Sequence, residues 1–245
     1  MPNIELKELY CYYGKGKKEN LVIEDMTEHF PSGKISVIMG PSGCGKTTLL
    51  KSILGLMEYD GDIFFDDKDI YKIPTYQRNM AYINQDVSLY PHWTIFENII
   101  FPLKNKKMSR DEIYKRARDI AERFRIAHCL NVKPKYLSWG QQQRALLARE
   151  LVGEPEVVLM DEPVSHLDKM SKKDVLDFIK ELNREWHLTI LYVTHSYQEA
   201  MEVADQIYVM DQGKFIEKGT PKSIRASINH FVCAMRAADD EKAKE

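Results

Sequence analysis

Residues 34–57 read KISVIMGPSGCGKTTLLKSILGLM, and no other stretch limits the fold as tightly. A β-branched apolar run ends on glycine, a glycine-rich loop follows, and then Leu49, Leu50, Ile53, Leu54 and Met57 fall on one helical face. Strand, glycine loop and helix in succession is the unit from which parallel sheets are wound, because parallel strands need a crossover between them. The loop GPSGCGKT, residues 40–47, fits the pattern G-x-x-x-x-G-K-[ST]. Its glycines let backbone wrap closely round phosphates, Lys46 can reach the terminal ones, and the Thr47 hydroxyl can bind Mg²⁺. The helix N-terminus behind the loop adds aligned N–H groups and the positive end of a dipole. Cys44 reads as a small spacer inside that loop, although the same positive field would favour a reactive thiolate.

The remaining pattern agrees with an α/β fold. Residues 4–30 are short apolar pieces broken by YGKGKKEN and read as antiparallel strands. GDIFFDDKDIY is a strand and turn, VVLMDEP a buried strand, DVLDFIKELNREW a helix, TILYVTH a strand and YQEAMEVA a helix. QIYVMDQGKFIEKG is a hairpin about Gly213. Between them, residues 86–150 are helical in pattern and read as an insertion. One helix opens with a capping box, Ser109 and Glu112, and carries the stripe Ile113, Ala117, Ile120, Ala121 and Phe124. A second is expected to start after Gly140, and the charged tail AADDEKAKE to fray.

Bulk properties remove other classes. With 44% hydrophobic and 29% charged residues the chain is globular, and a net charge of −2 supplies no general basic field for nucleic acid. No apolar run approaches the ~18 residues of a spanning helix, and the start MPNIELKELY is unlike a signal peptide. Cys11, Cys44, Cys129 and Cys233 are scattered without metal-ligand or redox spacing, and read as reduced thiols.

VVLMDEP, residues 157–163, carries two carboxylates to the C-terminal end of a strand, where parallel sheets hold ligands. Asp161 can help hold Mg²⁺, directly or through water, and Glu162 is placed to act as base on a water attacking a γ-phosphate. Taken alone, the carboxylates fit an acidic turn before Pro163 about as well, and an isolated THS also fits a histidine capping the next helix.

With LSWGQ added, the chain resembles the nucleotide-binding subunits of ATP-binding cassette (ABC) transporters, from its first strand to the hairpin near 219. GPSGCGKTTLL corresponds to the Walker A loop, INQD to the Q-loop with Gln85, LSWGQQQR to the signature, VVLMDEP to Walker B, SHLD to the D-loop, and VTHS to the switch histidine, His195. The resemblance implies a P-loop, RecA-like parallel sheet core (1–85 and 151–230) with an N-terminal antiparallel β-subdomain, an inserted α-helical subdomain (86–150) and a charged tail (231–245). ATP would lie along Gly40, Pro41, Ser42, Gly43, Cys44, Gly45, Lys46, Thr47 and Thr48, with Tyr13, or its neighbour Tyr12, stacked on adenine. Thr47, Gln85 and Asp161 would hold Mg²⁺; Glu162, His195, Gln85 and Lys46 would carry hydrolysis. Ser138, Gly140, Gln141 and Asp168 would meet the nucleotide of a second cassette, identical or related, closed head to tail on two ATPs.

QRNMAYINQDVSLYPHWTIFENIIFPLK, residues 77–104, is similar to bacterial importer ATPases for sugars, polyamines and other small solutes. That implies a subunit on the cytoplasmic face of the membrane, with the coupling helix of a permease in a groove for which Leu89, Tyr90, Trp93, Ile95 and Phe96 are candidate lining or plain core. The sequence runs about 25 residues past its last hairpin, short for the C-terminal regulatory domain that sugar importers often add. Exporter subunits, non-transport cassettes and non-hydrolysing switches are the rival readings. Trp139, where the family usually has glycine, and His166, where it often has a small residue, are departures. The indole would point away from phosphate, pack on the partner, or narrow access to the site.

Overall fold

The computed structural model describes residues 1–13, 21–84, 88–104, 106 and 108–242, with side chains to 239. The N-terminal strands β1 (Ile4–Tyr12) and β2 (Leu21–Phe30) pair antiparallel. Then come β3 (Ile35–Met39) and helix α1 (Lys46–Leu54). The helix stops three residues short of the sequence expectation. Gly55 takes the left-handed conformation at φ 79°, and the N–H groups of Gly55 and Leu56 turn back to the carbonyls of Ser52 and Lys51. Met57 therefore lies outside the helix. Strands β4 (Tyr59–Phe65) and β5 (Lys68–Asp69) complete a four-stranded antiparallel sheet in the order β2-β1-β4-β5.

A short strand that sequence pattern had not marked, β6 (Met80–Ile83), leads into three helices, α2 (Ile95–Ile100), α3 (Arg110–Arg123) and α4 (Trp139–Leu151). They form the crossover to β7 (Val157–Asp161), which pairs parallel with β6. The Ser109–Glu112 capping box opens α3 as expected. Helix α4 begins before Gly140, not after it, because Ser138 caps it and Gln141 returns the bond. After α5 (Lys169–Trp186) come β8 (Thr189–Thr194), α6 (Tyr197–Val203), and the hairpin β9 (Gln206–Asp211) and β10 (Lys214–Gly219). Two short connections lead through α7 (Pro221–Arg225) to α8 (His230–Lys242), so the tail is helical through 242 where fraying was expected.

The second sheet runs β10-β9-β3-β8-β7-β6, parallel except for β10. Its central strands β3, β7 and β8 are buried on both faces, which is why they read as largely apolar runs. Val157, Leu159, Leu191, Val193, Tyr208 and Met210 face one way and pack with Leu49, Leu50 and Ile53 of α1 and the antiparallel sheet. Val158, Met160, Ile190, Tyr192, Ile207 and Val209 face the other way, toward the remaining helices. Helix α1 is thus clamped between two sheets, each fully buried leucine or isoleucine contributing about 1.5–3 kcal/mol. That packing fixes the direction in which its N-terminus points.

Candidate nucleotide site

Strand register brings the functional segments to one edge. Met39 pairs with Thr194, and Asp161 with Val193, so β3, β7 and β8 end side by side. The loops that leave them carry residues 40–47, Glu162 and His195. The Gly213 N–H, from the β9–β10 turn, donates to the Cys44 carbonyl, pinning the phosphate loop from a third side.

Gly40 is required by close approach: a Cβ there would sit 2.2 Å from the Met210 carbonyl oxygen. Gly43 is required by conformation, at φ 81°, while a side chain there would meet no atom of the chain. Gly45 caps α1 in a left-handed conformation without any side-chain cap, so the first N–H groups of the helix stay open to the loop. The Lys46 ammonium donates to the carbonyls of Gly40 and Pro41, at 2.8 and 2.7 Å, closing the loop around itself. Ser42, Thr47, Lys51, Tyr82, Asn84, Asp161 and Glu162 line a cleft of about 330 Å³ beside it. Tyr13 is half exposed, and its hydroxyl accepts from Thr48 at 3.4 Å; Tyr12 is the last residue of β1.

Asp161 is buried and accepts from the Tyr82 hydroxyl at 3.3 Å, with Thr47 lining the same cleft. Burial pushes its carboxyl above the usual range, and the Thr47 and Tyr82 hydroxyls pull against that shift. Tyr82 was missed in the sequence; it lies on the unmarked strand β6, and only the β6–β7 pairing brings it to Asp161. Glu162 holds a left-handed φ of 50°, a strained conformation for a non-glycine residue. Its N–H donates to the Val193 carbonyl, and its carboxylate lies 3.0 Å from His195 Nδ1. Cys44 is buried, and desolvation raises its thiol despite the neighbouring Lys46 charge, so burial outweighs the positive field expected to activate it.

Ser138, Gly140, Gln141 and Asp168 do not line this cleft. The Ser138 hydroxyl accepts from the Gln141 N–H, and the Gln141 side chain accepts from the Ser138 N–H. Asp168 caps α5 through the N–H groups of Met170 and Ser171, and the Ser171 hydroxyl bonds hold its carboxyl low. Trp139 is 59% exposed and borders a neighbouring cleft of about 150 Å³ with His166, Asn84 and Glu162. Gln85 lies outside the described residues. Of the candidate groove residues, Leu89 and Ile95 are core and Phe96 packs partly buried against it, whereas Tyr90 and Trp93 stack toward the surface with Phe101, which the sequence had not suggested.

The family description "ABC transporter" matches residues 23–165, more than half of the chain. The chain belongs to the ABC transporter family. Among relatives within it, the trehalose/maltose import ATP-binding protein MalK of Thermococcus litoralis is 38% identical over 231 residues, 91% of this chain and 61% of that protein. The spermidine/putrescine import ATP-binding protein PotA of Haemophilus influenzae is 38% identical over 91% of this chain and 59% of its own length. The molybdate/tungstate import ATP-binding protein WtpC of Pyrococcus abyssi is 41% identical over 80% and 56%. The chain thus spans about three fifths of the length of the curated relatives it matches. The solved structure of cbiO1 from Clostridium perfringens, part of the ABC transporter complex cbiONQ, superposes with a TM-score of 0.83 at 28% identity, covering 91% of this chain and 90% of that one. The fold is accordingly that of an ABC ATPase. No described helix is long and apolar enough to cross a membrane.

Proposed function

We propose that this chain is a Mg-ATP-hydrolysing subunit that closes with a second cassette on two ATP molecules and drives solute import through a membrane permease. The observation that carries the reading is the meeting, at one sheet edge, of an uncapped helix N-terminus, Lys46, Thr47 and Asp161 in one cleft, and the Glu162–His195 pair. The oxygens of Thr47 and Asp161 are hard donors of the kind that suits Mg²⁺, and they line the same cleft. They would hold the ion, with Gln85, and its charge would offset that of the β- and γ-phosphate oxygens.

The chain's own groups then divide the work. The phosphate loop and Lys46 bind the triphosphate from one side. Tyr13 offers the nucleobase a half-exposed ring beside α1. Glu162 orients the attacking water and takes its proton; His195 holds the Glu162 carboxylate and faces the γ-phosphate. Ser138, the N–H groups near Gly140, and Gln141 meet the nucleotide of the other cassette, as does Asp168. The import names of the relatives support the direction of transport. The surface aromatic cluster Tyr90, Trp93 and Phe101 supports permease docking. Residues 1–245 act as one ATPase unit in which the 86–150 helices carry the signature.

Glu162→Gln tests the scheme. Turnover should fall by about 10²–10⁴-fold, the range of a lost general base, while ATP affinity holds and an ATP-bound pair accumulates on gel filtration. Undiminished turnover in that variant would refute the assignment of the base.

A further inference from the structure

His195 stands on a turn between β8 and α6, and two different sets of bonds hold the turn's two sides. On the inner side Glu199 is buried and takes hydrogen bonds from the hydroxyls of Tyr192 and Thr194, at 3.2 and 2.7 Å. Its other oxygen pairs with Lys172 of α5 at 2.8 Å. The Ser196 N–H donates to Thr194 Oγ1, and the Glu199 N–H to Ser196 Oγ. The outer side is held from far along the chain. Oδ2 of Asp239, on α8, accepts from the Ser196 hydroxyl and from the Gln198 N–H, both at 2.9 Å.

Helix α8 is itself well seated. Val232 is fully buried, and Phe231 and Met235 pack on the core. The Arg236 guanidinium lies 5.5 Å from the centre of the Tyr197 ring and donates to the Ser227 carbonyl. Two successive residues after His195 are therefore gripped by one helix, the second through its ring and the first through Asp239. A carboxylate accepting two such bonds is a charge-assisted anchor, stronger than the water that would replace it.

We propose that Asp239 is a positioning residue for His195: from the C-terminal helix, its carboxylate holds the turn that keeps the imidazole against Glu162. The inference rests on the role given to His195 above. Asp239 touches neither substrate nor the reacting atoms. It acts through Ser196 and Gln198, and a loosened turn lets the His195 ring leave the 3.0 Å contact with Glu162.

The test compares Asp239→Ala, Asp239→Asn and Ser196→Ala in the full chain, with histidines carrying ¹³C and the His195 signal assigned from a His195→Gln variant. Asp239→Ala should move or broaden the His195 resonance and lower kcat roughly tenfold, as misplaced catalytic groups do, with KM for ATP unchanged. Asp239→Asn should restore both, because one amide oxygen can accept both bonds. Ser196→Ala removes the bond to Asp239, and with it the cap on the Glu199 N–H, without touching α8, so it should move the same resonance even if Asp239→Ala does not fold. An unmoved His195 signal in Asp239→Ala or, should that variant not fold, in Ser196→Ala, overturns the inference, as does an Asp239→Asn signal displaced like that of Asp239→Ala. Absence of ATP turnover in the unmodified chain would count against the proposed function instead, and the resonance would still decide this question.

Discussion

The N-termini of α1 and α4 satisfy their free N–H groups in opposite ways. At α1 the cap is Gly45, left-handed at φ 110°, and no side chain closes the end. At α4 the cap is Ser138 in extended conformation, closed by a reciprocal bond with Gln141. The second arrangement is the chain's usual one, since Thr94 and Glu97 close α2 and Ser109 and Glu112 close α3 in the same way. A missing side-chain cap costs about 1 kcal/mol. An end left open in the middle of the core, with a lysine folded beside it, is one that a ligand completes. The α4 end is stable without a ligand. Its capping box uses the Gln141 N–H and leaves those of Trp139 and Gly140 as the outward donors. On the function proposed above, the first mouth would take nucleotide within the chain, and the second would meet an anion presented from outside.

The largest expected effect breaks the pair apart at the first mouth. Lys46→Ala removes a charge that would make charge-assisted bonds to phosphate, each about 1.5–3 kcal/mol. Nucleotide affinity should drop about 100-fold or more in a calorimetric titration of the dilute chain. Ser138→Ala, in the same titration, should change affinity by less than about threefold if, as proposed, its mouth serves another molecule's nucleotide. Equal losses in the two variants would mean that both ends grip one nucleotide in one chain, and the contrast between them would be lost.

A sharper separation comes from Gly140. A Cβ at that position meets nothing within 4 Å, and the residue lies inside the first turn of α4. Alanine is worth up to about 1 kcal/mol more than glycine in a helix. Gly140→Ala should therefore raise the melting temperature of the nucleotide-free chain by about 2–4 °C. On the proposed function turnover should fall about tenfold, because the added methyl would fill space that a partner's phosphate would occupy and would weaken its contact by about 1.4 kcal/mol. Thermal unfolding and steady-state ATPase assays on the same preparation read both changes. A variant that is more stable and fully active would show that Gly140 faces no ligand at all.

The contrast also marks what could be read from residue order. The first mouth was legible because its chemistry is contiguous: Gly40, Gly43, Lys46 and Thr47 lie within one loop, between a strand and a helix that both show their periods. Asp161 and Glu162 were legible because a buried strand delivers them together. Tyr82 was not, since its strand is four residues long and its bond to Asp161 spans 79 positions. Asp239 was hidden more deeply. It lies in a charged stretch that resembles a frayed tail, and its bond to Ser196 spans 43 positions. The start of α4 was misplaced by reading glycine as a boundary, when the boundary is set by the Ser138–Gln141 bond. Local motifs show in a sequence; the bonds that fasten one motif to another depend on the finished packing.

The smallest expected effect concerns Trp139, the first residue of α4, whose indole stands on the rim of the second mouth at 59% exposure. An indole so exposed contributes little to the stability of its own chain, and the mouth's donors are backbone groups that do not depend on it. Burial against a second cassette would gain about 1–2 kcal/mol of apolar contact. Trp139→Gly should therefore leave turnover at saturating ATP and high protein within about threefold of the unmodified chain. The protein concentration giving half-maximal rate should rise about fivefold to thirtyfold, the same energy expressed as a dissociation constant. Rate measured against protein concentration separates the two quantities. Complete loss of activity at every concentration would place the indole at the phosphate itself, and the second mouth would then work through a side chain as well as through its backbone.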